Sequence, residues 1–269
     1  ILFLVPLPPP VHGSAMVSQA IRNSTRINHS FQTDYVNLST SRKMNEIGKH
    51  CIKKIFRFFG AFSKMMYKLL FHRWDACYLA ITCHGIGFLK DVPFVALCKW
   101  FSPKVILHLH NKGLSKEVYR WPYRWLMPWI FRHTEVILLS ERLYSDVASV
   151  VRPEQVHICP NGLSSPVDIK EVSHSSVPHF LFLSNLIESK GVYVLLDACQ
   201  ILKDKGYSFI CDFVGGETKE ITRRHLEEEI SQRGLEEYVV YHGPQYGEAK
   251  ELFFQKADIF VQPTFEDCF

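Results

Sequence analysis

No Cys-x-x-Cys or His-x-x-x-His pair occurs among the eight cysteines and thirteen histidines of this chain, which leaves the common zinc-site spacings without a match. Asp-x-Asp is absent as well, so the carboxylate pair that chelates a divalent cation on a diphosphate is missing. There is no Walker A sequence, and Gly85-Ile-Gly87 does not complete a dinucleotide fingerprint. No apolar run approaches the roughly 20 residues needed to span a bilayer. The chain opens at Ile1 on a strand-like run, without a signal-peptide pattern. A formal charge of +4 is too small by itself to indicate nucleic acid.

What is present suits globular α/β structure. Over 269 residues, 47% are hydrophobic and 13% aromatic, enough for one large core or two ordinary ones. Short, continuous apolar runs recur at 1–5, 75–81, 105–110, 135–140 and 156–159, with a weaker one at 33–39. Continuous runs mark parallel strands covered on both faces, and helix-length stretches separate them. Residues 163–178 break the rhythm with serines and prolines and read as a linker. The pattern then restarts at 179–184, 208–214, 238–243 and 258–263. Two tandem Rossmann-like, doubly wound α/β domains are expected, at 1–162 and 179–269. Cysteines within these runs, such as Cys77, Cys159 and Cys211, are expected to be buried small hydrophobes of a reducing compartment.

Several side chains fall where such a fold does chemistry, just past the carboxyl ends of strands. In FLFLSNLIESKG (180–191) a strand leads through a polar loop to Lys190, at the mouth of the next helix. Open helix N–H groups and a lysine together suit a diphosphate. Gly215 and Gly216 follow a strand directly, which permits a tight turn or close approach of a ligand. Glu266 follows the run ending at Pro263. In the first half, three prolines stiffen the loop before Gly13, and Ser14 is expected to cap the first helix. Alternation puts His108 and His110 on one strand face, with His110 nearer the strand end and preferred.

Taken in order, these motifs resemble glycosyltransferase family 4, the glycosyl transferases group 1 of GT-B fold, from the proline-glycine loop to Glu266. The resemblance implies that Lys190 holds the donor's diphosphate, that Glu266 ligates the donor sugar, and that His110 lies near sugar and acceptor. It also implies donor-side roles for Gly13, Gly215, Gly216 and the His242-Gly243 pair. Asn185 stands where the family has a second phosphate-binding arginine. A further family glutamate would fall past Phe269, so the second domain is expected to be incomplete and the chain truncated at both ends. The implied activity is retaining, metal-independent hexosyl transfer in polysaccharide or glycolipid synthesis, from a nucleotide-sugar to a saccharide or lipid-linked acceptor, with no cofactor. A nucleotide-sugar epimerase and a non-catalytic membrane-associated binding module are the alternatives.

Residues 42–73 carry nine Lys/Arg against one Glu, with apolar residues recurring at 51, 55, 58, 62, 65 and 69. This is either a helix packed on the sheet with a solvated basic back or a peripheral contact with an anionic membrane. Trp121, Trp125 and Trp129 add rings suited to an interface. A cytoplasmic chain, peripheral on the inner face of the membrane, is the expectation, with no nucleic-acid partner.

Overall fold

The computed structural model describes residues 1–11, 13–41, 52–162 and 176–265. Its contacts divide into two compact units, Ile1–Ser164 and Ser165–Asp267 in their main spans. The expected linker at 163–178 lies mostly outside the described residues.

The first unit holds strands β1 (Leu2–Val5), β2 (Asp34–Asn37), β3 (Cys77–Ile81), β4 (Val105–Leu109), β5 (Glu135–Leu138) and β6 (Val156–Ile158). Its helices are α1 (Gly13–Asn23), α2 (Thr25–Ser30), α3 (Ile52–Phe71), α4 (Gly85–Phe101), α5 (Leu114–Glu117), α6 (Tyr123–Phe131) and α7 (Tyr144–Val147). The second unit holds β7 (His179–Leu183), α8 (Val192–Asp204), β8 (Ile210–Val214), α9 (Arg223–Gln232), β9 (Val239–Gly243), α10 (Glu248–Lys256) and β10 (Ile259–Phe260). Each strand-like run in the sequence forms a strand.

Both sheets are parallel, ordered β2-β1-β3-β4-β5-β6 and β10-β7-β8-β9. Parallel pairing puts every strand's carboxyl end on the same edge. The order reverses between β1 and β3 in the first sheet and between β7 and β10 in the second. At such switch points the following loops diverge to opposite faces and leave a crevice.

Alternation along β1 sends Leu2 and Leu4 into the core with α3, α4 and α6, while Phe3 and Val5 join a second cluster with Ile21 and Ile27. The first sheet is therefore doubly wound. In the second, Phe182, Cys211, Phe213 and Val239 pack under Leu195, Leu196, Leu226 and Ile230 of α8 and α9. Thr222 caps α9 by accepting the His225 N–H at 3.3 Å, which satisfies a donor left over at the first turn.

Three local expectations need correction. Ser14 lies inside the first turn of α1, where its carbonyl accepts the Ser18 hydroxyl at 2.8 Å, and is not the cap. Cys159 is exposed, because β6 is an edge strand with one pairing neighbour. Ile55, assigned to the packed row of α3, is 55% exposed, while Phe58 and Phe62 of that row pack against Phe94 of α4.

Candidate functional site

The switch point of the second unit is built from two loops in direct contact. After β7 the chain runs through Ser184 and Asn185 into a single 3-10 turn, Glu188–Lys190. Gly191 follows in a left-handed conformation, φ 83°, and serves as the N-cap of α8 without a side-chain cap bond. Lys190 thus stands immediately before the start of α8, half-buried. The loop after β10 lies across this corner. Ser189 O accepts both the Phe265 N–H at 2.9 Å and the Thr264 hydroxyl at 3.2 Å. A Cβ on Gly191 would sit 2.1 Å from Pro263 O. The segment leading to Glu266 is therefore held against the Lys190 corner, although Glu266 itself lies outside the described residues.

The glycine turn after β8 joins the same edge. Gly216 N–H donates to Asn185 Oδ1 at 3.2 Å, and Gly216 O accepts the Leu186 N–H at 2.8 Å. A Cβ on Gly215 would fall 1.7 Å from Ser184 O, so only glycine allows the turn this close to the β7 loop. Gly215 N–H in turn donates to Gly243 O at 3.0 Å, while Tyr241 OH donates to Gly215 O at 2.8 Å. Asn185, Gly215, Gly216 and Gly243 form one hydrogen-bonded strip. Here Asn185 acts as a brace for the glycine turn.

His242 points elsewhere. Its Nε2 pairs at 2.7 Å with Asp212, a buried carboxylate in β8 that also has Lys256 Nζ at 3.5 Å and His179 Nδ1 at 3.7 Å. The His242 side chain is thus held by Asp212, the His242 carbonyl accepts from Gln245 Nε2 at 3.0 Å, and the strip is reached only through the neighbouring Gly243.

The first unit has a cavity of about 580 Å³ at its own switch point, within the usual size range of small-ligand sites. Gly13 and Ser14 from the β1–α1 loop line it, with Ser39 and Thr40 after β2, Thr82 after β3, and His110 and Asn111 after β4. A Cβ at Gly13 would meet no atom within 4 Å, so the helix start is open to the cavity. Of the two histidines, His110 lines the cavity and is half-buried. His108 is buried; its Nδ1 pairs with the Tyr78 hydroxyl, and its ring lies 4.0 Å from that of His110. Burial, then the neighbouring His110, pulls the His108 pKa down to about 3. His108 is a neutral core residue that backs His110.

Asp91 is the cavity residue that the sequence reading missed. It is 3% exposed on α4, and its Oδ2 accepts the Thr82 N–H at 2.9 Å. Oδ1 lies 3.1 Å from Lys90 Nζ. Burial raises its pKa, and the Lys90 ammonium opposes that. The available signal was a Lys90-Asp91 pair interrupting an apolar run from Phe88 to Leu97. Cys83 N–H donates to Asn111 Oδ1 at 3.0 Å, so the β3 loop is pinned on both sides.

Among the described residues no cluster of three or more His, Cys, Asp or Glu could hold a metal ion. Charged groups at the two switch points include Lys190, with Glu188 in the same turn and Glu220 accepting the Glu188 N–H at 3.2 Å, in one unit, and Lys90 and Asp91 beside His110 in the other. These groups and open helix starts can bind an anion and a hydroxyl-rich molecule.

Residues 168–267 match the family model described as glycosyl transferases group 1. The amylovoran biosynthesis glycosyltransferase AmsK of Erwinia amylovora is 24% identical over 171 residues, a match that spans 62% of this chain and 41% of that protein. Among solved structures, sucrose-phosphate synthase from Thermosynechococcus elongatus superposes with TM-score 0.70 and 14% identity, over 100% of this chain and 76% of that one. WaaG, a glycosyltransferase involved in lipopolysaccharide biosynthesis, gives 0.63 at 14% identity, over 99% and 75%. HepE of Anabaena, in complex with UDP and glucose, gives 0.62 at 14% identity, over 100% and 75%. The second unit is thus similar to glycosyl transferases group 1 over residues 168–267, and the chain's two parallel-sheet units have the fold of GT-B glycosyltransferases.

Proposed function

We propose that the chain belongs to a retaining glycosyltransferase that moves a hexosyl group from a nucleotide-sugar to a saccharide or lipid-linked acceptor in polysaccharide or glycolipid synthesis. The observation that carries this reading is the corner at Ser189–Gly191, where Lys190, the side-chain-uncapped start of α8 and the loop toward Glu266 meet at a switch point within the matched segment. A diphosphate leaving group there would have its charge neutralised by the Lys190 ammonium and the unpaired N–H groups of α8. Retention proceeds through a transition state of oxocarbenium character, as in glycoside hydrolysis. Departure of the nucleoside diphosphate breaks the anomeric C–O bond, the acceptor hydroxyl oxygen adds on the same face, and its proton passes to the departing phosphate oxygen. Glu266 would hold the donor sugar, and the strip from Asn185 to Gly243 would shape the nucleotide pocket. His110 and the hydroxyl-rich first-unit cavity would receive the acceptor. The UDP-glucose and UDP-with-glucose complexes of HepE support a nucleotide-sugar donor.

The reading places the protein in the cytoplasm, on the inner face of an anionic membrane. Among the described residues no helix is long and apolar enough to cross a membrane. The test is to incubate the protein with UDP-glucose and other nucleotide-sugars, with and without saccharide or glycolipid acceptors, and to follow the products by mass. Acceptor-dependent release of nucleoside diphosphate, with a glycosylated product of retained configuration, is expected. An isomeric nucleotide-sugar formed without acceptor would replace this reading with an epimerase. A protein that binds donor without turning it over would replace it with a binding module.

A further inference from the structure

α3 buries one apolar row and leaves a second one in the open. Its packed side, Phe58, Phe62, Met65 and Leu69, rests on the core and on Phe94. On another side, positions 52, 56, 59, 63, 67 and 70 follow each other at helical spacing, and only Ser63 is polar. Ile52, Phe56 and Phe59 in this row are 68%, 72% and 59% exposed, and Ile55 and Leu70 beside them are also exposed. A row of exposed phenylalanines and isoleucines along one helix is a contact surface.

The charge beside that row says what it meets. Lys53 and Lys64 stand exposed along its flank, whereas Arg57 donates to Thr40 O at 2.7 Å and Lys68 pairs with Asp34. α3 contains no acidic residue. In a two-fold dimer through α3, each Lys53 and Lys64 row would face its own copy with no acid on the helix to pair with it. An anionic lipid surface offers acyl chains to the rings and phosphates to the lysines. Trp100, 85% exposed at the end of the adjoining α4, adds an amphipathic ring in the same helix layer.

We infer that α3 lies in the plane of an anionic lipid surface, with Ile52, Ile55, Phe56 and Phe59 entering the acyl boundary and Lys53 and Lys64 at the headgroups. This rests on the membrane part of the reading above and makes apolar insertion its main contribution. The test is flotation with vesicles of phosphatidylglycerol mixed with phosphatidylcholine, and of phosphatidylcholine alone. Wild type floats with the anionic vesicles. Phe56→Ser/Phe59→Ser weakens this by about tenfold or more at low and high salt, with unchanged thermal midpoint and elution volume. Lys53→Glu/Lys64→Glu weakens it at low salt and removes most of the salt dependence. The inference is overturned if wild type ignores anionic vesicles, or if the phenylalanine variant binds within about twofold of it. Conversion of a dimer to a monomer by that variant overturns it in favour of a second copy, and a lowered thermal midpoint overturns it in favour of packing within the chain. Nucleotide-sugar turnover of the same variants is read without vesicles, so failure of the transfer reading shows separately from failure of the lipid contact.

Discussion

The carbonyl oxygen of Pro263 fills the space that a side chain on Gly191 would need: a Cβ built there lies 2.1 Å from it. This contact joins the two loops of the second unit's switch point, and Gly191 is also left-handed at φ 83°. Gly191→Ala therefore meets both backbone strain and a backbone clash. A loss of about 2 kcal/mol or more is expected in urea unfolding of the second unit, with donor turnover falling alongside. Unchanged unfolding would mean that the Pro263 loop does not rest on this corner in solution.

Lys190 stands next to that glycine. Removing its charge with Lys190→Ala is expected to lower kcat/KM for the nucleotide-sugar on the order of 10²-fold, the scale for losing one stabiliser of a developing charge. Its thermal midpoint should hardly move, since the side chain is at a helix mouth and outside the core. Activity within a few-fold of wild type would remove Lys190 from the diphosphate site.

Asn185 braces the glycine turn through Gly216 N–H. Asn185→Ala frees that N–H to water and so should cost only about 0.5–1.5 kcal/mol of stability. The larger expected effect is a raised KM for the donor with kcat less affected, because the turn loses its fixed distance from β7. Equal losses in both constants would point to a role in the chemical step.

The proposed neutralisation by Lys190 and the start of α8 requires no divalent cation at the leaving group. Turnover is expected to survive excess EDTA. Abolition by EDTA with recovery on adding Mn²⁺ or Mg²⁺ would require a different leaving-group chemistry.

His108 makes stability depend on pH in a defined direction. Its pKa falls from 6.5 to about 3 on folding, so between those values the unfolded chain takes up a proton that the folded chain refuses. Stability contributed by the neutral ring is complete above the unfolded pKa and is lost as pH falls below it, at up to about 1.4 kcal/mol per pH unit. Asp91 acts in the opposite sense, because its raised pKa favours the folded chain at lower pH. Comparing wild type with His108→Gln cancels the Asp91 contribution to a first approximation. The gap between them should shift against wild type from about pH 7 to about pH 5, read by urea unfolding. Parallel profiles would show that His108 is not buried neutral.

Most of the strands were legible because parallel strands covered on both faces are apolar along their length and read as unbroken runs, whereas β2, with Asp34 and Asn37, gave only a weak one. The Lys190-Gly191 corner was legible for a related reason, since a helix start after a strand has local markers. Other features had no local marker. Whether His108 or His110 reaches a cavity depends on where β4 ends against Tyr78. That Asn185 braces Gly216 depends on β7 and β8 being neighbours, and their order is not written in either segment. His242 pairs with Asp212 because β9 lies beside β8 in that register.

α3 shows the division most clearly. Its sequence determined a long helix, apolar on more than one side and free of acids, since periodicity and composition are properties of the chain alone. Periodicity picked out the row 55, 58, 62, 65 and 69 and carried no sign that Ile55 would differ from the rest. Only packing against Phe94 decided that Phe58 and Phe62 go inward and that Ile55 and Phe56 stay out. Burial is a property of what lies opposite a side chain, and that partner comes from a distant part of the chain.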